Sequence, residues 1–299
     1  MTETSRFNDE PATRVHRVAV KGKKDTESRE LYCIEDDFSD GWQEPDTVLM
    51  LHGIAERAEI WRPWSPHLAR MHRVLRVDLC GYGRSSAMPA GFGIADWADD
   101  IEQLIAALGR TRVHLVATKL GALIAFELAQ RRLPWIQSMT LAGMLPSPNK
   151  SLGPWLDDWL AMVEGPGNGP RRWAEATMPG RMGSSLSPDA LQWWTDLMGT
   201  APAASVAACL RLLPAIDGPS SPHRVQCPTL FIAAGAPPVD STAKYQQRPA
   251  ASDLQRLRDS VPGSAWTEVP ADSYHIAASH PDDCARAAAA FIAGLAGGH

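Results

Sequence analysis

Long apolar runs are missing from this chain. No stretch approaches the ~20 residues that span a bilayer. The opening "MTETSRFNDEPATR" is polar and acidic rather than a charged-then-apolar leader. A soluble cytoplasmic protein with no membrane partner is therefore expected. A basic excess is missing too: the formal net charge is −5, which offers no field for phosphate backbones and argues against a nucleic-acid partner. The five cysteines (Cys33, Cys80, Cys209, Cys227 and Cys284) are odd in number and show no CxxC spacing. That argues against a disulfide framework or a structural zinc site. HExxH, EF-hand, Walker and GxGxxG patterns are all absent. No metal or cofactor is expected, and any chemistry must come from side chains alone.

What is present is an alternation. Short β-rich runs, among them "TVLMLHG" (47–53), "RVLRVD" (73–78), "RVHLVA" (112–117), "SMTLAG" (138–143) and "PTLFIAAG" (228–235), are separated by amphipathic stretches such as "IADWADDIEQLIAALG" (94–109) and "GALIAFELAQRR" (121–132). Continuous apolar strands between helices predict an α/β fold with a doubly wound, mostly parallel sheet of eight strands. The alternation stops after residue 145, and only helical segments joined by Gly/Pro-rich loops such as "GPGNGP" (165–170) follow until strand signals resume at Cys227. The expected organisation is a flexible N-terminus (1–14), a core (15–145 and 225–299) and an inserted helical cap (146–224). Five of the eleven tryptophans, Trp155, Trp159, Trp173, Trp193 and Trp194, lie in that block. They either pack cap on core or wall a hydrophobic pocket beneath it. Trp155, Trp159, Trp193 and Trp194 are the candidate substrate-binding residues.

Four motifs in order resemble the α/β-hydrolase superfamily, in its capped branch, from about residue 28 to the C-terminus. "HGIAERAEIW" (52–61) is similar to the family's His-Gly turn, "DLCGYGRS" (78–85) to its Asp-x-x-Gly-x-Gly-x-Ser loop, and "ATKLG" (117–121) to the nucleophile elbow G-x-S-x-G. "DSYHIAASHPDDCARAAAAFI" (272–292) resembles the segment that delivers the catalytic histidine. The resemblance implies oxyanion-hole N–H groups on Ile54 and Leu120 and a catalytic role for His275. The family's acid position falls on Pro238, so Asp240, two residues on, is the candidate acid; "VDST" also reads as a helix start, which would make Asp240 a cap.

The elbow departs from the family at its apex, where Lys119 replaces the usual serine, cysteine or aspartate. Ala117 and Gly121, two residues to either side, keep the small positions that a sharp strand-to-helix turn requires. Acyl transfer to an amine would leave an amide that turns over slowly, so ordinary serine-type hydrolysis is excluded. The expected enzyme acts without a cofactor on a small hydrophobic carbonyl substrate, with Lys119 and His275 as the working pair. Carbon–carbon lyase, decarboxylase or cyclase chemistry would follow if Lys119 lost its proton to form a Schiff base, or kept it to stabilise an enolate. Two alternatives stay open. His275 activates water on an ester, lactone or epoxide, or the chain is catalytically inactive, either as a ligand-binding homologue in which Lys119 bridges to a carboxylate such as Asp240 or through an inactivating substitution. Thr118 is a poorer nucleophile because its side chain should point away from the oxyanion donors, and Cys80 because no second group is placed to activate it.

Overall fold

Eight strands form a single sheet in the computed structural model, which describes residues 12–22, 28–236, 244–245 and 249–296. The strands are β1 (Thr13–Val20), β2 (Arg29–Asp36), β3 (Thr47–Leu51), β4 (Arg73–Val77), β5 (Val113–Ala117), β6 (Ile136–Ala142), β7 (Thr229–Ala234) and β8 (Ala265–Val269). Their spatial order is β1-β2-β4-β3-β5-β6-β7-β8. β2 runs against both of its neighbours, and every other pairing is parallel. The helices are α1 (Ser65–Leu68), α2 (Ile94–Ala107), α3 (Lys119–Gln130), α4 (Pro148–Leu152), α5 (Leu156–Glu164), α6 (Gly169–Met182), α7 (Pro188–Gly199), α8 (Ala203–Leu212), α9 (Ala251–Ser260), α10 (Ile276–Ser279) and α11 (Pro281–Ala296).

Position in the sheet explains the strand sequences. Every residue of the central strands β3 and β5 is buried, as helices on both faces demand, so these strands read as apolar runs broken only by Thr47 and His114. Edge strand β1 instead alternates, with its even-numbered positions from His16 to Val20 turned inward and Arg17 and Ala19 exposed. Because β3 to β8 are parallel, their carboxyl ends share one edge of the sheet, where ligands of such folds bind. The His-Gly turn, the Asp78 loop, the elbow and the His275 loop all leave from that edge.

Helices α4 to α8 lie between β6 and β7. They begin with local signals: the side chain of Asn168 accepts from the N–H of Arg171 (3.1 Å) to open α6, and Ser187 accepts from Ala190 (3.2 Å) to open α7. The C-terminal end of α6 is tied to the loop that carries His275. Ser273 Oγ donates to the carbonyl of Arg181, and the N–H of Ser184 donates to the Asp272 carboxylate at 3.1 Å. No single helix among the described residues is long and apolar enough to cross a membrane. Of the expected flexible N-terminus only residues 12–14 are described, and β1 already starts at Thr13.

Candidate active site

The elbow begins where β5 ends. Thr118 is extended (φ −135°, ψ 146°), and Lys119 turns into the left-handed region at φ 51° before α3 continues as a right-handed helix. A non-glycine residue there costs roughly 1–2 kcal/mol, so the neighbours must hold it in place. They do so through β3 and β6: the N–H of Thr118 donates to Leu51 O (3.1 Å), the N–H of Gly121 to His52 O (3.0 Å), and Thr118 Oγ1 to Ala142 O (2.7 Å). That last bond turns the Thr118 hydroxyl into the core. Gly121 has no substitute, because a Cβ there would sit 2.1 Å from Leu51 O.

At the apex, the Lys119 ammonium is ion-paired with Glu56, a residue of the His-Gly turn whose side chain is fully buried. The other oxygen of that carboxylate, Oε2, accepts the N–H of Gly53 at 2.7 Å. Gly53 makes room for the arrangement, since a Cβ on it would come within 2.9 Å of both Glu56 Oε2 and Lys119 Cδ. Burial lowers the Lys119 pKa from its ordinary 10.5 to about 8; the Glu56 carboxylate opposes this and the nearby Arg181 cation adds to it. The Trp194 ring also faces the ammonium, with its centroid 5.9 Å from Nζ.

His275 lies in the loop after β8, at the N-terminal end of α10, and is fully buried. Arg181, on the last turn of α6 and only 4% exposed, directs Nε and Nη2 at His275 Nε2, at 3.3 and 3.2 Å. Because the guanidinium can only donate, Nε2 is the accepting nitrogen and the proton sits on Nδ1. Burial, and then the Lys119 and Arg181 cations, hold the His275 pKa well below its ordinary value, so the imidazole is neutral. Nδ1 has no partner among the described residues. Asp240, the candidate acid, lies outside them.

Lys119 and Arg181 line one cavity, with about 40 Å³ in which the centre of a water molecule can move; their partners Glu56 and His275 are not part of its wall. Its polar lining is Lys119, Arg181 and Tyr274; Ile54, Leu120, Leu123, Leu145 and Leu210 are among its apolar walls, with Trp159 and Trp173. The expected residues Ile54, Lys119, Leu120 and Trp159 thus meet in one place, and Trp194 reaches Lys119 from the side. Two others lie elsewhere. Trp155 stacks on the outer side of Trp159 (centroids 5.8 Å apart), and Trp193 is turned to solvent at 45% exposure, since adjacent positions on α7 cannot both face the core. Among the described residues there is no cluster of three or more His, Cys, Asp or Glu side chains able to hold a metal ion.

The remaining candidates are structural. His52 donates from Nδ1 to Gly53 O (2.7 Å) and accepts the Leu79 N–H at Nε2 (3.0 Å), fixing the His-Gly turn to the strand beside it. Asp78 accepts the N–H groups of Ala58 (2.6 Å) and Arg84 (2.8 Å), joining its own loop to the same turn. His114 is held between Ser138 and Asp46. Burial pushes the Cys80 thiol up to about 12, so it is no nucleophile. Sequence reasoning missed Glu56, Arg181 and Tyr274. A buried lysine requires a counter-charge, and Glu56 is the acidic residue of "HGIAE", so it carried a signal; Arg181 in "PGRMG" carried none.

Comparison with known proteins places the chain among relatives. Residues 46–201 match the sequence family described as alpha/beta hydrolase fold. A protein of Variovorax paradoxus named as the carbamate hydrolase RutD is 35% identical over 133 residues, 44% of this chain and 49% of its own length. A haloalkane dehalogenase of Mesorhizobium japonicum is 38% identical over 86 residues, 29% of this chain and 28% of its own. The chain thus spans half or less of these relatives' length. Among solved structures, a Thermogutta terrifontis esterase superposes with a TM-score of 0.77 at 19% identity, covering 94% of this chain and 99% of the esterase. The enol-lactonase of Burkholderia xenovorans does so with 0.76 at 18% identity, covering 92% and 100%. At such identities the superpositions speak for the fold alone.

Proposed function

The chain belongs to the alpha/beta hydrolase fold family, and we propose that it is a cofactor-independent hydrolase in which His275 activates water on a small, largely apolar ester or lactone while the Lys119 ammonium polarises the carbonyl. The observation that carries this reading is the buried ion pair between Lys119 and Glu56. With its carboxylate partner in place and a pKa of about 8, the amine is mostly protonated at pH 7, so it is a poor nucleophile and a good electrostatic clamp. The Schiff-base route to lyase, decarboxylase or cyclase chemistry would first have to break that pair. The hydrolases and dehalogenase among the relatives favour the same side.

In the proposed sequence, His275 Nε2 takes a proton from water as the hydroxide adds to the carbonyl carbon. The resulting oxyanion lies against the N–H groups of Ile54 and Leu120, at the start of α3, and the Lys119 ammonium. Collapse expels the alkoxide, which recovers the proton from His275. One water is consumed, and one acid and one alcohol are formed. A carboxylate accepting from the Nδ1–H of His275 would fix this tautomer. Helices α4 to α8 act as the cap that closes the cavity.

Hydrolysis in H₂¹⁸O with p-nitrophenyl acetate and γ-lactones tests the scheme. The product acid should carry one label, no acylated or borohydride-trapped enzyme should appear by mass spectrometry, and His275→Ala should abolish turnover. A substrate-derived mass on Lys119 after borohydride would replace this mechanism with the Schiff base. A second reading is favoured by the hydrogen bonds from Arg181 to His275 Nε2, which occupy the base: a ligand-binding protein without turnover. It holds if no substrate turns over and ligand binding survives both Lys119→Ala and His275→Ala.

A further inference from the structure

Among the described residues, the charges around the cavity do not balance. Lys119 and Arg181 bring two cations, and Glu56, paired to Lys119, is the one anion facing them among the described residues. Arg181 is 4% exposed, yet no carboxylate of the described residues lies within ion-pair reach of it. Its Nη1 donates to Thr177 Oγ1 at 3.3 Å, its guanidinium lies 4.8 Å from the Trp173 ring centroid, and Nε and Nη2 converge on His275 Nε2. That last arrangement is a poor use of the side chain. The Nε–Nη2 edge is a planar fork that matches the two oxygens of a carboxylate, and here both N–H groups share a single neutral nitrogen at long distances.

We propose that the cavity takes a small monocarboxylate-bearing substrate whose carboxylate docks in two-point fashion on the Nε–Nη2 edge of Arg181. The proposal rests on the hydrolase reading of the same site and adds its substrate class. A carboxylate supplies a negative charge that no described residue gives this buried cation, and an unpaired buried charge is strongly unfavourable. It also takes over the two N–H groups that occupy His275 Nε2, leaving that lone pair free for water. Binding of the correct substrate thus unmasks the base. The apolar walls and the small volume restrict the rest of the molecule to a short aliphatic or unsaturated chain.

Isobutyrate and its neutral isostere isobutyramide are the probes, titrated into the full-length protein by calorimetry and by tryptophan fluorescence, since Trp159 and Trp173 line the cavity. Isobutyrate should bind ~10-fold or more tightly than the amide, and Arg181→Met should erase that preference. Arg181→Lys, which keeps the charge and removes the fork, should retain only part of it. If Arg181→Met fails to fold, the comparison of the two probes on the unaltered protein still decides. Equal binding of acid and amide, or no binding of either, overturns the proposal. The two readings fail separately: carboxylate preference without any ester turnover removes the hydrolase and keeps the anion site. Turnover of neutral esters unaffected by isobutyrate does the reverse.

Discussion

Replacing Lys119 by methionine removes a cation from beside a carboxylate that has no exposure at all. Methionine keeps most of the volume and the apolar stem, so packing changes little. What remains is Glu56 with the Gly53 N–H (2.7 Å) and no counter-charge. Stranding one member of a buried pair costs about 3–5 kcal/mol. Glu56→Gln strands the lysine instead, but with a smaller loss of about 1–3 kcal/mol, because the amine has an escape. Burial and Arg181 already lower its pKa to about 8, and without the carboxylate it falls further and the proton leaves. The double variant strands neither group and should recover about 2 kcal/mol relative to the sum of the singles. Urea unfolding of the four proteins measures this, with unchanged slopes confirming that only stability moved.

The sign of the pH dependence gives an independent check. Folding lowers the lysine pKa from 10.5 to about 8. Below pH 8 both states hold the proton and the folded state bears the whole unfavourable difference, roughly 3 kcal/mol. Between pH 8 and 10.5 the unfolded chain binds the proton that the folded chain has released, so the contribution of this group to stability improves as pH rises. Lys119→Met must lose that rise. Single variants that cost less than about 1 kcal/mol, add without coupling and show the same pH slope as the parent would refute a buried, desolvated pair.

Other consequences follow from the same geometry. kcat/KM should be flat from about pH 6 to 7.5 and decline above about 8 as Lys119 loses its proton; His275, already neutral, should contribute no acid limb near 6.5. A rate that climbs through pH 8 would instead assign the free amine as the reactive group. Gly121→Ala pushes a methyl group to 2.1 Å from Leu51 O and should destabilise by more than about 3 kcal/mol or prevent folding, read by thermal melting; a mild effect would contradict the close strand-to-turn contact. Lys119→Ser with Glu56→Gln restores the family's apex without stranding the carboxylate, and should gain p-nitrophenyl acetate hydrolysis with an acyl group detectable on Ser by mass spectrometry. No gain would show that more than the apex departs from an acyl-transfer site.

The fold was legible because its signals are local and repeated. Largely apolar runs such as "TVLML" and "VHLVA" mark strands covered on both faces, and both become strands with every residue buried. The elbow was legible for a steric reason: Gly121 is small because Leu51 O lies where a Cβ would be, and that requirement is written in one residue. Partnerships across long separations left no such trace. Arg181 and His275 are 94 positions apart and meet only because Ser273 and Asp272 tie the end of α6 to the β8 loop. The tryptophans show the same limit from the other side. Composition marked the helical block as aromatic, but only the helix phase, set by tertiary packing, decides that Trp194 is buried near Lys119 while Trp193 faces solvent.

Glu56 therefore has a larger part than its position in a turn suggests. Without it, burial, the Arg181 cation and the positive end of α3 all favour the neutral amine, the form that attacks carbonyl carbon, against the Trp194 ring alone. The carboxylate is the charge that pulls the other way. It is presented by the same turn that carries Ile54, held by the Gly53 N–H, and given space by the missing side chain of that glycine. A lysine at the apex could serve either as nucleophile or as clamp, and the residue that chooses between them lies three positions after Gly53 on the neighbouring strand's exit. Sequences of this family that place lysine at the apex but no carboxylate on the His-Gly turn should then differ from this one in chemistry, and borohydride trapping would separate the two groups.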